Sequence, residues 1–251
     1  MYLTRITIDP RCREARADLG NCHAMHARVM SGFGGVDAGD SPRQAHGVLF
    51  VVEPQPDGAV VLLVQSRTMP DWSLLPRRYL RGGPQDLASL RVIPIHEQLD
   101  RLVEAPYLRF RLCTNPTKRL STRAEPGAGR KNGRRVVLKG EVARANWLTR
   151  KGLDAGFEVV RAVELVQVEH QTLRGWRSSA PDAPPITLVP VTFSGVLRVL
   201  DPARLRAAVE RGVGPSKAYG CGLMALWPVA EPARRQVAGR GDVSDGERVS
   251  A

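Results

Sequence analysis

From Tyr107 to Pro228 the apolar residues switch back and forth between two periods, and this alternation limits the folds open to the chain more than any single motif does. Tyr107 to Cys113 alternates as a strand. Val142 to Leu153 has helical spacing, closed by Gly152 or Gly156. Phe157 to Val168 and Ile186 to Leu200 return to strand spacing on either side of a Pro-rich connection. Asp201-Pro202 is an N-cap with proline at the first helical position, opening a helix to Arg211, and Lys217 to Pro228 makes a last strand. The order β-α-β-β-α-β is the ferredoxin-like, or RRM-like, plan.

The first half repeats that order less clearly. Tyr2 to Ile8 alternates as a strand, and Asp18 to Phe33 carries Leu19, Cys22, Met25, Val29 and Phe33 at helical spacing until Gly32 and Gly34-Gly35 stop it. Val48 to Val52 and Val60 to Gln65 form a hairpin through Pro54-Gln55-Pro56-Asp57-Gly58. The stretch from Met69 to Pro94 is broken by proline and glycine and leaves room for one short helix around Asp86 to Leu90. The fold class is therefore α+β, two tandem ferredoxin-like domains of βαββαβ order, at residues 1–98 and 99–229. Residues 230–251 hold few large apolar side chains and read as a disordered tail.

Charge narrows the partners. Lys and Arg number 37 against 25 acidic residues, a net charge of +12, and such an excess suits a polyanion whose counterions are released on binding. A genome rich in arginine codons would raise basicity as well. A small-molecule enzyme on the same fold predicts a neutral surface, so the charge speaks against it. No run approaches the roughly 20 apolar residues of a membrane span. Met1 to Pro10 lacks the parts of a signal peptide, so a cytoplasmic protein without a membrane partner is expected. Cys12, Cys22, Cys113 and Cys221 lie far apart without a CxxC pair, and no DxD-like pair of acids appears. Neither a structural zinc nor two-metal chemistry has support, so no metal and no cofactor are expected.

Four stretches could carry chemistry. In Asn21-Cys22-His23-Ala24-Met25-His26, two histidines three residues apart share one helical face. Histidine moves protons near neutral pH, and RNA supplies its own nucleophile in the ribose 2′-hydroxyl. The same spacing also suits surface decoration or an adventitious metal pair. Asn115-Pro116-Thr117-Lys118-Arg119 leaves a strand and enters a basic segment holding Arg123, Arg130, Lys131, Arg134, Arg135 and Lys139 against Glu125. Gly127, Gly129 and Gly133 at its tip suggest a basic hairpin along an RNA groove, or else a solvated loop. Between Gly212 and Gly222 lie Gly214, Ser216, Lys217 and Gly220, a glycine-dense link from helix to strand whose backbone N–H groups can approach phosphate. It is neither a P-loop nor a dinucleotide fingerprint, since the order of elements is wrong for both. Glu169 to Arg177 is a polar loop or hairpin tip from which Arg174 and Arg177 reach phosphate or simply face water. No RNP1-like aromatic string appears, so RNA is expected away from the open sheet faces.

Taken in order, Tyr2-Leu3-Thr4-Arg5, Asn21 to His26, Asn115 to Arg119 and Gly214 to Gly222 resemble the CasE family, the endoribonuclease subunit of type I-E CRISPR Cascade. The similarity spans roughly residues 1 to 228. It implies two ferredoxin-like domains that bind the repeat hairpin of precursor CRISPR RNA and cut at the 3′ base of its stem. The cut is metal-free, by 2′-hydroxyl attack, and leaves a 2′,3′-cyclic phosphate. Members then stay on the mature crRNA with the other Cascade subunits. The family's catalytic histidine falls on His26. Some members carry tyrosine where this chain has His23 and lysine where it has Ser31, so His23 is read as a second proton-transfer or phosphate-binding group. Arg28, Arg174, Arg177 and Lys217 are then the candidate cations for the transition state. The alternative is a non-catalytic structured-RNA-binding subunit of a ribonucleoprotein, with structural histidines.

Overall fold

The structure is a computed structural model that describes residues 1–36, 41–83, 86, 88–119, 135–160, 164–166, 172–176 and 185–229. The expected tail at 230–251 lies outside the described residues. In chain order the first half contains β1 (Tyr2–Ile8), α1 (Arg13–Gly20), α2 (Cys22–Met30), α3 (Pro42–Ala45), β2 (Leu49–Pro54), β3 (Val60–Ser66) and β4 (Leu90–Pro94). Then come α4 (His96–Val103), β5 (Tyr107–Thr114), β6 (Thr117–Arg119), β7 (Arg135–Val137), α5 (Glu141–Asp154), β8 (Phe157–Val159), β9 (Glu164–Val166), β10 (Leu173–Gly175), β11 (Ile186–Leu188), β12 (Val191–Val199), α6 (Pro202–Arg211) and β13 (Met224–Pro228). A 3₁₀ turn at Lys217–Tyr219 precedes the last strand.

Both halves build antiparallel sheets of one topology. The first has order β2-β3-β1-β4, and the second β13-β5-β12-β8, with β9 extending the β12 edge. Each is the ferredoxin order, with the first and third strands in the middle, as the two tandem domains require. The expected boundary after residue 98 falls inside α4, whose Leu99 and Val103 pack into the second core with Leu108, Phe110, Leu205 and Val209. The first core gathers Ile6, Ile8, Val29, Phe50, Leu62 and Tyr79.

Several elements differ from the sequence expectation. The helix expected over Asp18 to Phe33 is two helices, because Asn21 is extended and restarts the chain as a cap. Among the described residues no helix forms around Asp86 to Leu90. Asp86 instead closes a turn by accepting from the Ala88 N–H and the Ser89 hydroxyl, and Leu90 is already a β-rung opposite Ile6. Trp72, Tyr79 and Leu80 are buried in the first core from the irregular segment before β4. The stretch expected as one strand from Phe157 divides into β8 and β9. Ile186 to Leu200 divides into β11, which pairs with β10, and β12, which pairs with β5. The last strand begins at Met224 rather than Lys217, because positive φ angles at Ser216, Gly220 and Gly222 cannot continue a ladder.

The two halves meet through Leu49, Val51 and Leu223 and through a buried hydrogen bond from Gln65 Nε2 on β3 to Val209 O on α6 at 2.9 Å. No described helix is long and apolar enough to cross a membrane.

Candidate active site and nucleic-acid interface

Asn21 fixes how the chain enters the site. Its Oδ1 accepts from the N–H groups of His23 at 3.0 Å and Ala24 at 3.4 Å, satisfying two of the donors that the start of α2 leaves open. The same side chain reaches the other half of the molecule. Its Nδ2 donates to Trp176 O at 3.2 Å, and the Trp176 N–H donates to Oδ1 at 3.3 Å. Gly175 allows this approach: a Cβ there would stand 2.6 Å from Cys22 Sγ. The first turn of α2 is thus clamped to β10.

His23 and His26 rise half-buried from that clamped turn. The His26 ring meets Tyr219 edge-on, with centroids 6.2 Å apart and planes at 69°. Burial lowers the His26 pKa below the ordinary histidine value, and the charges of His23 and Arg43 lower it further. At neutral pH the imidazole is therefore mostly uncharged and able to accept a proton. Neither His23 Nδ1 nor His26 Nδ1 has a hydrogen-bond partner among the described residues. No group of three or more His, Cys, Asp or Glu side chains suited to a metal occurs among those residues either. His23, Asn21, Arg28 and the exposed Trp176 line an open cleft of about 490 Å³.

Arg28 is less free than its sequence position suggests. Its Nε donates to Asp18 at 2.7 Å and its guanidinium lies 5.4 Å from the centre of the Tyr79 ring, so its charge is compensated. Ser31 is occupied as well, its hydroxyl donating to Arg28 O at 2.7 Å.

The glycine-dense loop arrives from the second half. Gly212, Gly214, Gly220 and Gly222 all have positive φ, and so does Ser216 at 63°. At Gly214 a Cβ would stand 2.3 Å from Thr114 Oγ1, so the loop lies flat against the end of β5. Gly222 N–H donates to Cys113 O at 2.7 Å, and Asn115 Nδ2 donates to Ser216 Oγ at 3.3 Å. Two motifs far apart in sequence, Asn115 to Arg119 and Gly214 to Gly222, thereby form one surface. The loop's Tyr219 carries that surface to His26.

The basic arm starts from this junction. Arg119 and Arg135 are opposite rungs of β6 and β7, and with Lys151 and Gly214 they line a groove of about 250 Å³. Lys118 and Lys139 are exposed beside it, and Arg174 is exposed on β10. Arg130, Lys131, Arg134 and Arg177 lie outside the described residues. The structure thus brings His26, His23 and the glycine loop together through Tyr219, while the Lys217 side chain turns away to the Arg211 carbonyl. Sequence reasoning missed Tyr219, Trp176 and Arg43. An aromatic residue inside a glycine-dense loop was the one signal for the first of these.

Comparison with known proteins agrees with this geometry. A family model described as CRISPR associated protein matches residues 1–228. The CRISPR-associated endoribonuclease Cse3 of Thermus thermophilus is 32% identical over 237 residues, covering 91% of this chain and all of the relative. The CRISPR system Cascade subunit CasE of Escherichia coli K12 is 29% identical over 233 residues, with the same shares covered. The solved structure of Thermus thermophilus Cse3 bound to an RNA representing a pre-cleavage complex superposes with a TM-score of 0.70 at 31% identity, covering 90% of this chain and 98% of that one.

Proposed function

The chain belongs to the CRISPR associated protein family as a homologue of Cse3 and CasE, and from that membership we propose that it is a metal-independent endoribonuclease that processes precursor CRISPR RNA. It binds the repeat hairpin and cuts at the 3′ base of the stem. It then stays on the mature crRNA as a Cascade subunit, in keeping with the name of its Escherichia coli relative. The observation that carries the reading is His26, half-buried on a clamped helix turn and in edge contact with the glycine-dense loop.

In the reaction, the ribose 2′-oxygen attacks the adjacent phosphorus and the bond from phosphorus to the 5′-oxygen breaks. One product ends in a 2′,3′-cyclic phosphate and the other in a 5′-hydroxyl. One proton leaves the 2′-hydroxyl and one reaches the 5′-oxygen. His26, whose proton affinity burial lowers, performs one of these transfers. His23, on the same face of α2, supplies the second proton-transfer or phosphate-binding group. Lys217 and Arg174 offer cations to the phosphorane, and Lys118, Arg119, Arg135 and Lys139 hold the stem by its phosphates. Arg28, neutralised by Asp18, shapes the cleft wall.

The test is cleavage of a labelled repeat hairpin in excess EDTA, with analysis of the product ends. The expected result is undiminished cleavage to a cyclic phosphate, and no cleavage when the 2′-hydroxyl at the cut is replaced by hydrogen. Inhibition by EDTA, or a 3′-hydroxyl product, would overturn the mechanism. Tight binding without any cleavage would favour the non-catalytic RNA-binding subunit.

A further inference from the structure

Beside the turn that meets His26 lies a second concavity, of about 270 Å³, lined by Arg43, Arg67, Arg211 and Lys217 together with Glu210 and Gly47. Its charge is unbalanced. Glu210, the one acid, is taken by Arg206 from the same helix. Among the described residues none of the four cations forms an ion pair with a carboxylate. Each of three instead donates to a backbone carbonyl: Arg43 to Val48 at 3.2 Å, Lys217 to Arg211 at 2.6 Å, and Arg67 to Gln44. These bonds hold the side chains in place without neutralising them.

The crowding bears on the titrating groups around it. Burial lowers the proton affinity of Lys217, and the charges of Arg43 and Arg211 lower it further. Arg43 also acts on His26, which places this pocket within electrostatic reach of the imidazole. Like charges gathered in one concavity cost free energy unless an anion joins them. The planar guanidinium groups match two oxygens of a phosphate.

We propose that this pocket is a second phosphate-binding site, in which Arg43, Arg67 and Arg211 grip a backbone phosphodiester of the RNA strand a few nucleotides from the cut linkage. It rests on the RNA-processing reading above and adds to it. The strand is then held at two places, by the cleft at His23 and Trp176 and by this arginine pocket. Three of its four cations come from α3, β3 and the segments next to them in one half and from α6 in the other, so a strand bound here also bridges the two domains.

The test is equilibrium binding of a hairpin made uncleavable by a 2′-deoxy sugar at the cut. Wild type is compared with Arg67→Ala/Arg211→Ala and with the control Arg101→Ala/Arg198→Ala, which removes two charges from exposed ion pairs elsewhere. The pocket variant should lose about tenfold in affinity and show a shallower salt dependence, by about 0.7 in the log–log slope for each phosphate released. Neutral methylphosphonate linkages are then placed one at a time along the strand flanking the cut. One or two of them should weaken wild type and leave the pocket variant indifferent. Because Arg67 lies over Gly47, the single variant Arg211→Ala, at an exposed helix end, keeps the test decisive if the pair melts early. Equal losses in the pocket and control variants, or neutral linkages that cost both proteins alike, would overturn the proposal. So would stabilisation by inorganic phosphate or pyrophosphate with no sensitivity to neutral linkages, since that marks a site for a free anion. All of these readouts are binding measurements. A protein that passed them yet failed to cut the unmodified hairpin would sink the nuclease reading and leave the pocket standing.

Discussion

At the scale of single residues the proposed cleavage depends on an imidazole whose surroundings oppose its charge. Burial, His23 and Arg43 all lower the proton affinity of His26. A histidine depressed in this way is neutral where an ordinary one is still partly charged. An NMR titration of the free protein should place its midpoint below the ordinary histidine value, and His23→Gln should move that midpoint upward by removing a neighbouring positive charge. A midpoint at or above the ordinary value would contradict the described environment. Residues of this kind were legible only by type. The sequence offered two histidines at helical spacing, but Tyr219 and Arg43 reach His26 through tertiary structure that no local pattern encodes. Arg28 shows the opposite failure. It looked free, and Asp18, ten residues earlier, had already claimed it.

At the scale of elements the decisive join is between α2 and β10, made by one asparagine. Asn21→Ala removes a helix cap worth about 1 kcal/mol and both bonds to Trp176. We expect a lower melting temperature and a fall of about tenfold or more in the single-turnover cleavage rate, with a smaller change in hairpin affinity, because a misplaced general acid or base costs rate before binding. Asn21→Asp keeps the acceptor and should recover most of the stability but less of the rate, having lost the donor to Trp176. Equal recovery of both would remove the clamp from the catalytic account. Gly214→Ala tests the glycine loop. With φ at +90° and Thr114 Oγ1 at 2.3 Å from the new Cβ, it should cost about 2 kcal/mol or more, read by thermal or denaturant unfolding. Most strands and the helices α5 and α6 were readable from periodicity, since each buries one face against a sheet. Among the described residues the helix expected near Asp86 is a turn instead, closed by Asp86 on Ala88 and Ser89, a pairing that periodicity does not reveal. The split at Asn21 was readable in principle, as an N-cap residue directly before the Cys-His pair.

At the scale of the whole molecule, two sheets of ferredoxin order bring together segments separated by nearly the length of the chain. The first sheet carries the histidine helix. The second carries the glycine loop, the β10 clamp and the basic arm. This division was visible in the repeated strand–helix order, and the net charge of +12 pointed to a polyanion. How the halves face each other was not visible, because Gln65, Leu49 and Leu223 look like ordinary strand residues until the halves meet. In the proposed mechanism the seam holds His26 against a ribose–phosphate linkage, and His26 moves a proton there. The most direct test of that mechanism is single-turnover cleavage of the repeat hairpin by His26→Ala, with hairpin affinity measured in parallel. Cleavage should disappear while the dissociation constant stays within about threefold of wild type, a binding change of less than about 0.7 kcal/mol. Cleavage at an undiminished rate by that variant would contradict the mechanism.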